Sequence, residues 1–94
     1  MALLDDVRTA CRIRNSNLDA ELEIYIEAAR ADMTASGIDA DESKSLIKSA
    51  IIIYSKSQLA APDEAVKYRD VYDLMIKKAS LCDEYRITDD SILA

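Results

Sequence analysis

The segment SKSLIKSAIIIYSKSQLA, residues 43–60, decides the fold class of this chain. Its apolar residues recur at spacings of three and four, which is the period of a helix with one buried face. That face consists of Leu46, Ile47, Ala50, Ile51 and Tyr54. Ile52 and Ile53 lie outside it, roughly 100° and 200° around the helix from Ile51. The middle of the segment is therefore apolar nearly all round, which predicts a helix surrounded by other helices or by another subunit.

Three further segments have the same apolar period, over residues 3–13, 18–36 and 63–84. The chain of 94 residues has one glycine and one proline, whereas strand-rich folds need many more turn residues. A chain of this length forms one domain. We therefore predict an all-α fold, a four-helix small domain over residues 1–84 with a short C-terminal tail over residues 85–94.

Short polar segments between these helices indicate how each helix begins and ends. Gly37 is placed to adopt the left-handed conformation that ends the second helix, so that Ile38 packs back onto its last turn. Ser16 is predicted to cap the start of that helix, and Asp41 or Ser43 the start of the third.

Composition limits the functions that the chain can have. The chain has no tryptophan, phenylalanine or histidine, so it has an aliphatic core and lacks the commonest general base and metal ligand. A net charge of −6 argues against an overall basic face for duplex DNA, although a local one stays open. We expect no signal peptide and no membrane association, and a protein made in the cytosol. Four of the five tyrosines are assigned to the core, namely Tyr25, Tyr54, Tyr68 and Tyr72.

The residue types that carry out chemistry in other proteins form no site pattern here. Cys11 and Cys82 lie on apolar faces of predicted helices, so we expect both to be small buried side chains with reduced thiols. Asp39, Asp41 and Glu42 form an acidic turn that lacks the ligand number and the mid-loop glycine of a calcium-binding loop. We predict no catalytic, metal-binding or cofactor-binding residues and no enzymatic activity.

Two features exceed the needs of a four-helix core and predict an interface. Ile52 and Ile53 either make the third helix fully central or contact another subunit, and both interpretations stay open. The tail is too apolar for a solvated segment, and exposed apolar segments are often covered by a partner. The candidate subunit or partner interface consists of Ile52, Ile53, Tyr85, Ile87, Ile92 and Leu93.

Residues 1–38, MALLDDVRTACRIRNSNLDAELEIYIEAARADMTASGI, resemble the start of the small head–tail connector (head-completion, DNA-packaging) proteins of tailed phages and prophages. Those proteins have a short helix, an acidic turn and a second helix that ends in a Ser-Gly-Ile phrase. The matching phrases here are CRI at residues 11–13, IYIEAARADM at 24–33, SGI at 36–38, LIKSAIIIY at 46–54 and YRDVYDLM at 68–75.

The resemblance covers roughly residues 1–85. The family often has an aromatic-rich or glycine-containing loop between its last two helices, where this chain has LAAPD at residues 59–63. No portal-contacting residue is therefore assigned.

The resemblance implies a non-enzymatic part of the virion at the head–tail junction, made in the cytoplasm of the bacterial host. It implies a homo-oligomeric ring, expected to be twelvefold in the virion, under the portal protein and above tail or stopper proteins. DNA would pass through the ring as cargo, and an acidic lumen suits that passage because like charges avoid trapping the DNA.

Two other classes of function compete with this interpretation. A soluble four-helix regulatory or interaction module, binding one protein partner and without a virion role, fits the same helices and charge. A small hydrolase or transferase is the third class, and no set of residues in the sequence supports it.

Overall fold

Four helices make up most of the residues that the structure, a computed structural model, describes, which are 3–41, 43–82 and 85–86. In chain order the helices are α1 (Leu3–Ala10), α2 (Asp19–Ala35), α3 (Ser45–Leu59) and α4 (Pro62–Ser80). Within the described ranges, β-type pairing is limited to an antiparallel bridge between Ile38 and Arg86. The predicted all-α fold, a small four-helix domain with a C-terminal tail, is confirmed. None of these described helices is long and apolar enough to span a bilayer.

The third helix, α3, is the central element because it packs against each of the other three. The helices α2 and α4 both pack on it, and their backbones make few contacts with each other. Ile47, Ala50 and Ile51 are buried between the helices. Ser55 is buried as well, and its hydroxyl donates to the carbonyl oxygen of Ile51 at 3.0 Å, which satisfies this polar group without a partner from another helix.

The core is aliphatic except for one tyrosine, in agreement with the composition. Its buried apolar side chains are Leu3, Val7, Leu22, Ile26, Ala29, Met33, Ile38, Ile47, Ala50, Ile51, Tyr72 and Ala79. Of the tyrosines assigned to the core, Tyr72 is buried, and Tyr25 and Tyr54 are half-buried against the cluster. Tyr68 is half-buried.

The end of α2 has the predicted glycine turn. Gly37 adopts a φ of 81°. Its N–H donates to the carbonyl oxygen of Thr34 at 3.0 Å, and the N–H of Ile38 donates to that of Met33 at 2.9 Å. These two bonds are the Schellman pattern, and they place Ile38 in the core as expected.

The end of α1 has the same turn, but with an arginine at the left-handed position. Arg12 adopts a φ of 60°. The N–H groups of Arg12 and Ile13 donate to the carbonyl oxygens of Thr9 and Arg8 at 3.0 and 2.9 Å. This turn ends α1 at Ala10, so the prediction of a helix over residues 3–13 is three residues too long.

The start of α2 differs from the prediction that Ser16 caps it. The helix begins at Asp19, and Leu18 occupies the capping position without a side-chain hydrogen bond. The Asp19 carboxylate instead accepts two bonds from the Arg8 guanidinium, at 3.0 and 2.9 Å. This paired contact joins the first turn of α2 to α1. The start of α2 therefore has an ion pair with α1 where the sequence predicted a serine cap.

The start of α3 also lacks the predicted side-chain cap. Asp41 accepts hydrogen bonds from the backbone N–H of Ser43 at 3.0 Å and from its hydroxyl at 2.7 Å. The bond from the hydroxyl, and to a smaller extent the bond from the backbone N–H, lower the pKa of the Asp41 carboxyl. They form a turn two residues long, and the helix begins after it at Ser45, with Lys44 at the capping position.

Proline determines where α4 begins. Pro62 is the first residue of α4, and Ala61 before it is extended with a ψ of 153°, as a residue preceding proline must be. The helix ends at Ser80 instead of residue 84. Beyond it, the carbonyl oxygen of Tyr85 accepts a 2.7 Å bond from the N–H of Asp39, so the chain after α4 joins the chain after α2.

One side-chain contact joins α4 to α2 directly. The buried hydroxyl of Tyr72 donates to the Asp32 carboxylate at 2.6 Å. Burial, and then this bond, raise the pKa of Tyr72 above its ordinary value. The ring of Tyr54 packs edge-on against that of Tyr72, with 5.2 Å between the centroids, which holds the phenol in place.

The two left-handed positions predict a matched pair of stability changes. Gly37→Ala lowers the free energy of unfolding by about 1 kcal/mol, because a Cβ there meets no atom and backbone strain is the sole cost. Arg12→Gly raises it by about 1 kcal/mol because the strain is removed. Urea denaturation measures both. Ser36→Ala, at a φ of −90°, is the control, and an effect equal to that of Gly37→Ala contradicts the argument.

The Tyr72–Asp32 bond predicts a coupling between two helices. In a double-mutant cycle of Tyr72→Phe and Asp32→Ala, the coupling free energy is about 1–2 kcal/mol, measured by urea denaturation. Because the folded-state pKa of Tyr72 is raised, its contribution is complete below about pH 10 and is lost as the pH rises further. The native chain therefore loses stability above about pH 10 more steeply than Tyr72→Phe does. Equal slopes would argue against the bond.

Candidate functional site

The side of α4 that faces away from α3 carries a stripe of exposed apolar residues. Tyr72 and Ala79 are buried on the inner side. On the outer side, Val71 is 45%, Leu74 64% and Leu81 85% exposed. Leu81 follows the last residue of α4 and keeps a helical backbone conformation. The three residues therefore lie on one line of the helix surface, because spacings of three and seven return to the same face. No described residue covers this line, so it is available to a partner.

Lysines extend the same line at its N-terminal end and between its leucines. Lys67 lies four residues before Val71, and Lys78 lies between Leu74 and Leu81. Both lysines are exposed. We call this set, with spacings of four, three, four and three, the α4 outer face; it consists of Lys67, Val71, Leu74, Lys78 and Leu81. Asp63 begins the same line four residues before Lys67, Asp70 borders it, and Lys77 adds another positive charge nearby. Toward its C-terminal end the face therefore combines large apolar side chains with positive charge.

The side of α2 that faces away from the core has a different character. Ile24 is 66% exposed at its centre. Around it lie exposed alanines and carboxylates at helical spacing. We call this set the α2 outer face; it consists of Ala20, Ile24, Glu27, Ala31 and Ala35. Glu23 and Glu21 flank it, one on each side, and both are exposed. Three of its five side chains are alanines, and its flanks are acidic.

The structure places the six sequence-predicted interface residues in three different settings. Ile52 and Ile53 of α3 are half-buried and pack against the buried residues of the core. Tyr85 is also half-buried against that cluster, and the Lys44 ammonium lies 5.6 Å from its ring centroid. The other three lie outside the described residues; they are Ile87, Ile92 and Leu93. Their assignment to an interface stays a prediction.

The α4 outer face was not among the interface residues predicted from the sequence. Only the inner line of this helix, with Tyr68, Tyr72 and Met75, was recognised as apolar. The second line, which contains Val71, Leu74 and Leu81, has apolar residues at spacings of three and seven, and this spacing was the signal available in the sequence. Apolar residues on both sides of α4 could be read from the sequence, but which side stays exposed depends on how few helices pack against α4.

A cleft of about 320 Å³ lies where the end of α1 meets the turn between α3 and α4. Its lining is Ala10, Cys11, Arg12, Lys56, Leu59, Ala60, Glu64 and Tyr68. The Lys56 ammonium lies 5.2 Å from the Tyr68 ring centroid. Burial raises the pKa of the Cys11 thiol, against a weaker opposite effect of Lys56, so the thiol is not activated as a nucleophile.

The second cysteine departs from its prediction. Cys82 is exposed, not buried. The physical reason is that α4 ends at Ser80, so Cys82 is not carried on the inner side of the helix. Cys11 is half-buried and packs against the core cluster. Over the described ranges, no group of three or more His, Cys, Asp or Glu side chains is arranged to hold a metal ion.

The family model described as "Phage connector protein" matches residues 3–82, most of the chain. The chain belongs to the phage connector family. This confirms the resemblance found in the residue phrases. No curated protein and no solved structure matches the chain. Membership of this family gives the chain a structural role in the phage particle.

A pair of alanine substitutions separates the α4 outer face from the core of this connector. Leu74→Ala changes the free energy of unfolding by less than about 0.5 kcal/mol, because its side chain is mostly solvated. Ile51→Ala, at a fully buried position, lowers it by about 2–5 kcal/mol. Guanidinium denaturation of both variants checks this. A large loss for Leu74→Ala would show that the face already has a partner within the chain.

Proposed function

We propose that the chain is a structural component of the head–tail connector, in which copies form a ring under the portal protein. DNA passes through this ring, and tail or stopper proteins attach to its far side. The observation that carries the proposal is the family match over residues 3–82. The exposed apolar line on α4 supports it, because a surface of this kind requires a partner in the assembled state.

The charge of the chain suits a ring that conducts DNA. A net charge of −6 on each copy gives an oligomer a strongly negative field. Such a field repels the phosphates of the DNA, so the wall of the channel does not bind its cargo. This argument extends to a twelvefold ring, which we propose for the virion.

The proposed role is structural and non-enzymatic. The sequence has no histidine, and the thiol of Cys11 has a raised pKa. The proposed contacts within the ring, or with the portal and tail proteins, include Ile52, Ile53 and Tyr85 at their accessible edges. The proposed contacts also include Ile87, Ile92 and Leu93 of the tail.

Deletion of the gene from the phage or prophage that encodes it tests this proposal. We expect lysates that contain heads and free tails but no joined particles, because the ring that connects them is missing. Electron microscopy of the lysate and plaque counts measure this outcome. A plasmid copy of the gene restores tailed particles, whereas a copy with an early stop codon does not.

Tailed, DNA-filled and infectious particles from the deletion strain would disprove the proposed function. A block before DNA enters the head would place the chain earlier in assembly and would contradict a role confined to the junction.

A further inference from the structure

Two exposed helix faces lie on separate helices of the same molecule. The helices α2 and α4 both pack on α3, and their backbones make few contacts with each other. Their outer faces are turned away from the helices that they pack on, and Ile24 and Leu74 are each about two-thirds exposed there. One copy therefore offers two separate helix surfaces to its neighbours.

The two faces are complementary in shape. The α4 outer face projects Leu74 and Leu81 as large side chains. The α2 outer face has alanines on both sides of Ile24, which leave shallow depressions along the helix. Large side chains of one helix fit into such depressions of another. The helices have 17 and 19 residues, so both are between about 25 and about 30 Å long and can pair along their whole length.

The two faces are also complementary in charge. Lys67 and Lys78 lie on the α4 outer face. Glu21 and Glu23 flank the α2 outer face, and Glu27 on that face is paired with Arg30 of the same helix at 3.6 Å. Pairing α4 with α4 would bring lysines together, and pairing α2 with α2 would bring carboxylates together. Like charges across an interface are unfavourable, whereas the mixed pairing brings opposite charges together.

We propose that the α4 outer face of one copy packs against the α2 outer face of the next copy. This inference rests on the proposed function, because it identifies the contact by which the ring closes. A contact between two different faces repeats from copy to copy, and it forms a closed ring when the rotation at each step completes a circle. The partner of the exposed line on α4 is thus a second copy of this chain.

A mixing experiment with the full chain tests the pairing. Ile24→Glu disables the α2 outer face, and Leu74→Glu disables the α4 outer face. Both residues are exposed, so the fold should stay intact, which circular dichroism and thermal melting verify. We expect the unmodified chain to associate with rising concentration in sedimentation velocity, measured between about 10 μM and about 1 mM. Each variant alone is monomeric.

An equal mixture of the two variants gives a distinctive result. Leu74→Glu still has an intact α2 outer face, and Ile24→Glu still has an intact α4 outer face. The mixture therefore forms a one-to-one heterodimer and nothing larger, which native mass spectrometry identifies by mass. Val66→Glu is the matched control, because Val66 is 60% exposed on the same helix but lies off the line, and its association is unchanged.

A charge exchange tests the same contact independently. Lys78→Glu alone and Glu23→Lys alone each weaken association by about tenfold, because each brings like charges together near one end of the paired helices. The double variant restores association, because the positive and negative charges have changed places and opposite charges face each other again.

Several outcomes would overturn the inference. They are an unmodified chain that stays monomeric up to the highest concentration, a single variant that still associates, and a mixture without heterodimer. Association lost in Leu74→Glu but kept in Ile24→Glu would mean that α4 pairs with another surface. These results leave the proposed function standing if the deletion strain still lacks joined particles, so the two failures can be told apart.

Discussion

Burial of α3 on several sides is the constraint on which the rest of the structure depends. A helix that is apolar nearly all round must be enclosed, and α1, α2 and α4 provide that enclosure. Each of them then needs a single apolar side facing inward, which explains why Leu22, Ile26 and Met33 lie in one line on α2. Within the part of the chain that the structure describes, no further helix covers the outer sides, which stay exposed at Ile24 and Leu74.

The sequence predicted the number and order of the helices well because these depend on local information. The period of the apolar residues, the single proline and the glycine after α2 act within a few residues. The helix ends were less predictable. Arg12 adopts a conformation that favours glycine, so the residue type gave no signal for the end of α1. Asp19 binds Arg8 of another helix, so the start of α2 depends on a tertiary contact. Cys82 was misplaced because α4 ends early.

The candidate site was harder to predict from the sequence than the fold. The excess of apolar surface could be inferred from composition and period, but its location could not. Ile52 and Ile53 lie on the helix that is most enclosed, so the core covers much of both side chains. Leu74 and Leu81 lie on a helix with mainly one neighbour, so they remain exposed. Exposure is a property of the neighbours that a helix acquires, which no single segment of sequence specifies.

The attachment of α4 mainly to one helix has a consequence for its dynamics. Local opening costs least where few contacts must be broken, so the backbone amides of α4 should exchange with solvent hydrogen sooner than those of α3. The phenol of Tyr72 holds the middle of α4 against α2, and the bond from the Asp39 N–H to the Tyr85 carbonyl holds the chain beyond its end. Packing of a partner on the outer side of α4 would slow this exchange, because a partner that binds only the folded form stabilises it.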